Sequence, residues 1–343
     1  MQAALPKWVE WSKPLLAIFA AFGLSAVLIA LIGQDPIEIY EKLFSRTLGT
    51  GYGIGQVLYK ATPLVLTGLA VAIPYKAGLF NIGGEGQAMM GAFFCALVGA
   101  SLSPSLPAWL AVSICLGVSA LIGSLWAAIA GFLRARFGIS EVIATIMLNF
   151  VAQAIVSYWL SQVALPGTTR TADIPDAAWL PRLSFLVATA RSPLNAAIFL
   201  SVLLALLVHW LLARTRLGYE LRAVGLNAEA AQYAGINAPF HIMFSMSAAG
   251  ALAGLVAANY VLGYRHYYEL GSTAGIGFLG IAVAMLANTN PLGILLSALL
   301  FGLLDYGGLT INADVPKEIF LIVQALVILF VIASQRLSDA SLR

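Results

Sequence analysis

Two apolar runs flank a polar, glycine-rich turn in residues 61–103, whose sequence is ATPLVLTGLAVAIPYKAGLFNIGGEGQAMMGAFFCALVGASLS. Glu85 and Gln87 stand where the second run begins. Such side chains are unfavourable in hydrocarbon unless they are paired or hydrated. The pattern therefore favours two helices inside a membrane-embedded bundle, joined by a turn that is a candidate functional site. A second interpretation is a simple turn, in which Glu85 stabilises the N-terminus of the following helix.

The composition of the chain excludes a water-exposed globular surface. Of 343 residues, 61% are hydrophobic and 10% are charged, and the mean hydropathy is +0.92, whereas about a quarter of the residues of a soluble domain are charged. We therefore expect a single polytopic membrane domain over residues 1–343. The net charge of +3 is too small to indicate a nucleic-acid partner. Cys95 and Cys115 lie in apolar runs and are interpreted as buried apolar side chains.

A transmembrane helix needs roughly 20 apolar residues. On this measure the sequence predicts an all-α membrane protein with about ten transmembrane helices, some of them short or broken, and no cleaved signal peptide. The three shortest, at 61–75, 273–288 and 291–306, are expected inside the bundle, because unpaired backbone at this depth is tolerated only against protein or a water-filled cavity. The other seven are predicted at 15–32, 86–103, 108–132, 140–164, 193–213, 241–262 and 318–335.

An even number of spans places both termini on one side of the membrane. Arginines cluster at the ends of spans, at Arg134 and Arg136 and again at Arg214, Arg216 and Arg222. Because Lys and Arg are enriched in cytoplasmic loops, we expect both termini and the connection 214–240 in the cytoplasm. The segments 33–60 and 165–192 are then extracytoplasmic, and each is long enough to fold over the outer mouth of the bundle.

Other polar side chains within the predicted spans are few. Asn149 lies two helical turns after Glu141 and must bond either a neighbouring helix or a polar substrate. Asp305 lies near the outer end of its span, where it reaches water or contacts substrate. His209 stands alone in an apolar run and is interpreted as a structural group.

A short internal echo links two of the short spans. Residues 68–73 have the sequence GLAVAI and residues 280–285 have the sequence GIAVAM. Transporters often arise from duplicated halves whose broken helices meet at the substrate site. A duplication and a chance match in an apolar chain both remain open.

The motifs of several other function classes are missing from the sequence. The glycine-rich turn lacks the spacing and the Lys-Ser/Thr of a phosphate-binding loop. The three histidines lie in separate segments, and His, Cys and carboxylate residues do not cluster at metal-ligand spacing. A polytopic membrane enzyme is therefore disfavoured. An ion-coupled secondary transporter stays open as an alternative, although Glu85, Glu141 and Asp305 all lie near span ends.

Four segments together resemble the permease subunits of bacterial nucleoside and simple-sugar ABC importers. They are GLFNIGGEGQ at 78–87, EVIATIMLN at 141–149, TRLGYELRAVGLNAEAAQYAGI at 215–236 and GIGFLGIAVAM at 275–285. The resemblance covers about residues 60–335, the predicted core. The wider superfamily includes permeases for branched-chain amino acids, ribose and autoinducers, and Gly84 stands where the family commonly has Ala.

The resemblance implies the fold of a type II ABC importer permease that works by alternating access in a bacterial inner membrane. It implies a second permease subunit, two ATPase domains that bind ATP and Mg²⁺, and an extracytoplasmic solute-binding protein. This chain itself is expected to be non-catalytic and to bind no cofactor. The solute is expected to be a nucleoside, with ribose and branched-chain amino acids as alternatives. The residues expected along its pathway are Phe80, Asn81, Glu85, Gln87, Trp126, Asn149 and Asn288.

The connection 214–240 resembles the family's coupling loop, through which a permease receives mechanical work from its ATPases. Gly225 and Gly235 are expected to bracket a helix at 227–234, which Asn227 caps. Small alanines would allow this helix to dock closely into a groove of the ATPase. The residues assigned to coupling are Glu220, Arg222, Gly225, Asn227, Ala230, Ala231 and Gly235, with polar contacts also from Glu229.

Overall fold

The computed structural model describes residues 7–184, 192–316 and 318–340, and describes their side chains between residues 19 and 330. Residues 185–191 of the predicted segment 165–192, Lys317 and both chain ends lie outside the described residues. The regular elements are helices: α1 (Lys7–Leu31), α2 (Pro36–Thr47), α3 (Gly51–Lys76), α4 (Gly84–Ala100), α5 (Ala108–Phe137), α6 (Glu141–Val163), α7 (Ala197–Arg214), α8 (Arg216–Leu226), α9 (Ala228–Tyr233), α10 (Ala238–Gly254), α11 (Ile276–Leu286), α12 (Pro291–Thr310) and α13 (Glu318–Ala340). A π-helical segment, Ala258–Arg265, extends α10.

The all-α membrane architecture is confirmed, but the count of about ten spans is not. Six described helices are long and apolar enough to cross a membrane: α3, α5, α6, α7, α10 with its extension, and α12. The count is seven if Phe19–Leu31 and Pro36–Thr47, which are bent by 118°, form one span. The 11 residues of α11 reach only about 16 Å at 1.5 Å per residue. An apolar run in the sequence therefore need not be a complete crossing.

The predicted start of the second span at residue 61 was wrong. Helix α3 begins at Gly51, capped by a 3.0 Å hydrogen bond from the Gly53 amide to Thr50 Oγ1. Lys60, within this helix, forms a 2.9 Å ion pair with Asp305 of α12. Most of the segment 33–60 is thus helical. As predicted, α3 lies inside the bundle, with 89% of its most apolar window buried.

Helices α3 and α11 carry the two echoing sequences and pack side by side in the same direction. Gly280 lies against Thr67, where an added Cβ would come within 2.4 Å of Thr67 Oγ1. Nine residues further along each segment, Lys76 Nζ donates to Thr289 Oγ1 at 2.8 Å. The equal offset shows that the segments run parallel. The absence of a side chain at Gly280 permits this close contact.

The described part of the segment 165–192 covers one end of the bundle. Its backbone pairs with the loop that follows the π-helical segment, through hydrogen bonds from Thr171 N to Tyr268 O at 2.9 Å and from Ile174 N to His266 O at 2.8 Å. The Trp179 and His266 rings stack with centroids 3.8 Å apart. This segment is therefore anchored to the helix ends.

Candidate functional site

The turn between α3 and α4 folds back along α3. Gly78 has a φ of +74°, a left-handed conformation that favours glycine, and it reverses the chain just after α3 ends. Asn81 Nδ2 then reaches the carbonyl oxygen of Ala70 at 3.2 Å. Asn81 and Gln87 also exchange two hydrogen bonds, of 3.0 Å to Gln87 Oε1 and 2.9 Å to Asn81 Oδ1. Both residues are buried, and their amides satisfy each other.

Helix α6 holds the backbone of this turn with side chains from one of its faces. Asn149 Oδ1 accepts from the Gly86 amide at 2.8 Å, and Asn149 Nδ2 donates to the Ile82 carbonyl at 2.9 Å. One helical turn earlier, Thr145 Oγ1 accepts from the Ile82 amide at 3.3 Å. Residues four apart share a helix face, so the segments 78–87 and 141–149 form one interlocking unit. Of the two kinds of partner left open by the sequence, the structure shows a protein partner for Asn149.

The beginning of α6 completes this unit. Glu141 Oε1 accepts from the Phe80 amide at 3.3 Å, and its Oε2 lies 3.3 Å from Arg134 Nε. Sequence reasoning noted Glu141 and Asn149 but missed Thr145. The four-residue spacing from Glu141 to Thr145 and on to Asn149 was the signal that could have revealed it.

Glu85 caps a helix, but not the one that follows it in the chain. Its Oε1 accepts from the Gly275 amide at 2.7 Å, and its Oε2 accepts from the Gly277 amide at 2.8 Å. These amides begin α11, where unpaired N–H groups and the helix dipole favour a carboxylate. A Cβ on Gly277 would lie 2.1 Å from the Glu85 amide nitrogen. The segment 275–285 therefore packs directly against the turn.

The structure brings five of the seven predicted pathway residues together: Phe80, Asn81, Glu85, Gln87 and Asn149. Trp126 lies on α5, half-buried in an apolar cluster, and takes no part in the hydrogen bonds of the turn among the described residues. Asn288 is exposed in the turn after α11, with a φ of +51°, beside the Lys76 contact of Thr289. The polar groups of the turn itself are occupied by protein partners in this conformation.

The connection 214–240 contains two helices, α8 and α9, rather than one. The predicted cap of the second is confirmed, because Asn227 Oδ1 accepts from the Ala230 amide at 2.9 Å. Gly235, with a φ of +84°, follows α9. Gly225 precedes α9, as expected, and is the last residue but one of α8. A Cβ there would come within 2.3 Å of the Lys76 carbonyl oxygen at the end of α3.

The small residues of the connection divide between two sides. Ala231 is buried with Val224 and Ala238, so it faces the bundle and not a partner. Ala230 is exposed. The outward surface includes two large side chains, Leu226 at 89% and Tyr233 at 95% exposure. We name Leu226 and Tyr233 the outward pair.

Glu220 and Arg222 both act within the connection. Glu220 Oε1 lies 2.7 Å from Arg216 Nε, and its Oε2 lies 3.1 Å from His241 Nε2 at the start of α10. The hydrogen bond from Arg216 lowers the pKa of Glu220 below its ordinary value. Arg222 Nη1 donates to the Leu212 carbonyl oxygen of α7. These contacts tie α8 to α7 and to α10.

Comparison with known proteins finds ABC transporter permeases that match nearly the whole chain. A family model described as the permease component of the branched-chain amino acid transport system matches residues 53–332. The guanosine ABC transporter permease protein NupP of Bacillus subtilis is 37% identical over 324 residues, or 94% of this chain and 92% of its own. The nucleoside ABC transporter permease protein NupB of Lactococcus lactis is 37% identical over 327 residues, covering 93% and 89%. The glucose ABC transporter permease protein TsgB13 of Haloferax volcanii is 35% identical over 341 residues, covering 96% and 89%.

Proposed function

This chain belongs to the family of permease components of the branched-chain amino acid transport system, and from that premise we propose that it carries a nucleoside through an ATP-driven importer. It is a multi-pass membrane permease of an ABC transporter, and it is not an enzyme. ATP hydrolysis belongs to partner ATPases. The ion-coupled transporter that the sequence left open is not favoured by this family.

The nucleoside is supported by the relatives from B. subtilis and L. lactis, whose names specify guanosine and nucleosides. A sugar is the second candidate, because the H. volcanii relative is named for glucose at similar identity. A nucleoside contains a pentose, so hydroxyl recognition would be common to both solutes. Their difference is the base, which needs an aromatic face and hydrogen bonds to its edge.

The proposed importer combines this chain with three kinds of protein partner in a lipid membrane. A second permease faces this chain, two ATPase domains hold ATP and Mg²⁺ on the cytoplasmic side, and a solute-binding protein delivers solute from outside. The lipid of a bacterial inner membrane surrounds the spans. In this proposal both termini and the connection 214–240 face the cytoplasm, consistent with the arginines at 214, 216 and 222.

We propose that the turn at 77–87 borders the solute pathway. Asn81, Gln87 and Asn149 hold its backbone, and Glu85 fixes it to α11. A change in the position of α6 or α11 would therefore move the turn, which is what alternating access requires. Phe80, half-exposed beside the turn, is the aromatic group of this unit that a passing base can contact.

For coupling, the outward pair supports a contact with an ATPase. Two large apolar side chains at 89% and 95% exposure, on a connection fixed to α3, α7 and α10, are suited to fill a groove of a partner. Movement of that partner would then reach α3 through Gly225, which packs against the end of that helix.

The solute proposal is tested by ATP-dependent uptake in the native cells. Labelled guanosine and labelled glucose are supplied separately, each with and without the partner ATPase, and each competed by the other compound. Guanosine uptake that needs the ATPase and resists excess glucose would support the proposal. Glucose uptake that guanosine does not inhibit would replace the nucleoside with a sugar.

The coupling proposal is tested by Tyr233→Asp and Leu226→Asp. We expect the permease to remain in the membrane but to lose association with its ATPase, measured by co-purification and by uptake. Trp109→Asp is the control, because Trp109 is also exposed, at 71%, but lies in the first turn of α5, at the end opposite Arg134. Wild-type association in both test variants would remove the outward pair from the docking surface.

A further inference from the structure

One ridge of α6 carries a polar residue at every fourth position, and it winds around the helix because four residues exceed one turn by about 40°. These residues are Thr145, Asn149, Gln153, Ser157 and Ser161, and we call them the polar ridge. Thr145 and Asn149 are buried against the turn at 77–87. Gln153, Ser157 and Ser161 are exposed. Among the described residues, the side chains of Gln153 and Ser157 have no hydrogen-bond partner.

Most of the polar side chains of α6 lie on this ridge. The neighbouring ridges are mainly apolar, with Ile143, Met147 and Val151 on one and Phe150, Ala154 and Tyr158 on another, which ends at the exposed Gln162. Apart from Ala154, these apolar side chains are at least 46% exposed. Hydrocarbon is the suitable surrounding for them, but not for an amide or a hydroxyl without a partner. The two sides of α6 therefore face different media.

Helix α7 shows what a lipid-facing helix of this chain looks like. Before Arg214, its last residue, the large exposed side chains of α7 are apolar: Phe199, Val202, Leu203, Leu206, Leu207 and Trp210. The buried share of its most apolar window, 28%, equals that of α6. Exposure alone does not explain the polar ridge, because α7 is equally exposed and has none.

We propose that Gln153, Ser157 and Ser161 line the water-filled solute pathway of the assembled importer, opposite the second permease. This inference rests on the proposed function. The ridge is continuous with the turn, because Asn149, one helical turn before Gln153, binds both Gly86 and Ile82. From Gln153 to Ser161 it extends about 12 Å along the helix. Neutral amide and hydroxyl groups can exchange hydrogen bonds with the hydroxyls and base edge of a nucleoside without binding it tightly.

The test is water accessibility in the complete importer. Gln153→Cys, Ser157→Cys and Ser161→Cys are made singly in a Cys95→Ala, Cys115→Ala background that retains uptake. Val151→Cys on the neighbouring ridge and Leu206→Cys on α7 are the matched controls. A charged methanethiosulfonate is added to both sides of membrane vesicles, and the loss of guanosine uptake is followed over time.

We expect the ridge positions to react about tenfold faster than both controls, or more, because such reagents attack the thiolate, which forms in water and not in hydrocarbon. Excess guanosine should slow the reaction. Equal rates at ridge and control positions would overturn the proposal. Modification of the thiols is also followed directly, by mass spectrometry. The proposal would be overturned if the ridge were modified only in vesicles without the second permease, which would indicate a dry interface, or if it were modified without loss of uptake. Absence of ATP-driven guanosine uptake by the unmodified importer is a separate result, which refutes the proposed solute instead.

Discussion

Helices α6 and α7 are buried to the same extent, but their exposed side chains differ in polarity. Each has 28% of its most apolar window buried, with mean hydropathies of 1.6 and 2.1. The difference arises from one ridge of α6, where polar side chains recur every four residues, while the exposed surface of α7 is apolar up to Arg214 at its end. Burial within a single chain therefore does not reveal the surroundings of a membrane helix. The kind of side chain that is exposed does reveal them.

The two helices also differ in how they reach the functional elements. Helix α6 acts through its face, with Thr145 and Asn149 bound to the turn at 77–87. Helix α7 acts through its end, where the connection 214–240 begins. Arg222 of α8 donates back to Leu212, and Gly225 packs against the end of α3. The same α3–turn unit is thus contacted from two directions.

The largest effect is expected from Gly225→Val, which tests the end of α7. The new Cβ would lie 2.3 Å from the Lys76 carbonyl oxygen, so α8 has to move away from α3. Overpacking of this kind costs typically about 1–3 kcal/mol and more against rigid backbone. We expect most of the permease to be lost from the membrane, measured by immunoblot and by thermal stability in detergent. Ala213→Val, on the exposed side of α7, is the control and should leave the amount of permease and its thermal stability unchanged. Normal stability of Gly225→Val would show that α8 does not pack closely against α3.

The contact made by α6 is tested by Asn149→Leu, which keeps the branched shape of the side chain and removes two hydrogen bonds. The Gly86 amide and the Ile82 carbonyl would lose their partners, at about 1–3 kcal/mol for each buried group. A cost of 1.4 kcal/mol lowers the population of the correctly placed turn relative to displaced turns about tenfold, so we expect a fall in uptake of about that size. Ser201→Ala on α7 is the control, because the Ser201 hydroxyl bonds only within its own helix, at 2.8 Å to Ile198. Equal uptake in the two variants would show that the side chains of α6 are no more important for the turn at 77–87 than those of α7.

Much of this unit was predictable from local sequence. The polar turn, the span over 141–163 and the cap at Asn227 follow from residues close together in the chain. The interlocking of 78–87 with 141–149 was not predicted, because no rule of spacing relates two segments that lie about 60 residues apart in the chain. The partner of Glu85 was not predictable, because α11 begins 190 residues later and any helix N-terminus attracts a carboxylate equally.

The error at the start of α3 has a physical cause. The sequence predicts a span from residue 61, but residues 51–60 are helical and the Lys60 charge is paired with Asp305 of α12. A tertiary contact thus stabilises a charged residue within the helix. Helix lengths therefore depend on contacts that the local sequence does not show.

A smaller effect is expected from Glu85→Gln. This variant tests whether the turn at 77–87, which α6 holds, also depends on the hydrogen bonds from the start of α11 to the Glu85 carboxylate. The amide keeps one acceptor oxygen, but its NH₂ group would face a backbone N–H. One of the two bonds from Gly275 and Gly277 is then lost, and a bond to a charged group contributes about 1.5–3 kcal/mol. We expect lower uptake with a normal amount of protein in the membrane. Glu41→Gln, at an exposed position of α2, should have no effect; unchanged uptake in Glu85→Gln would leave this carboxylate only a minor stabilising role.

The smallest effect is expected from Asn227→Ala, at the far end of the connection that α7 enters. The substitution removes the acceptor for the Ala230 amide, and the loss of such a cap costs about 0.5–2 kcal/mol. Helix α9 has only six residues, so a cost of this size should loosen α9 and leave the six membrane-crossing helices intact. We expect thermal stability close to that of the wild type, with uptake and ATPase co-purification reduced together. Asn227→Asp, which restores a capping oxygen, should recover both. If the connection after α7 transmits movement as proposed, loss of the Asn227 cap impairs coupling without impairing folding. Loss of stability without a selective loss of ATPase binding would show instead that the connection only supports the bundle.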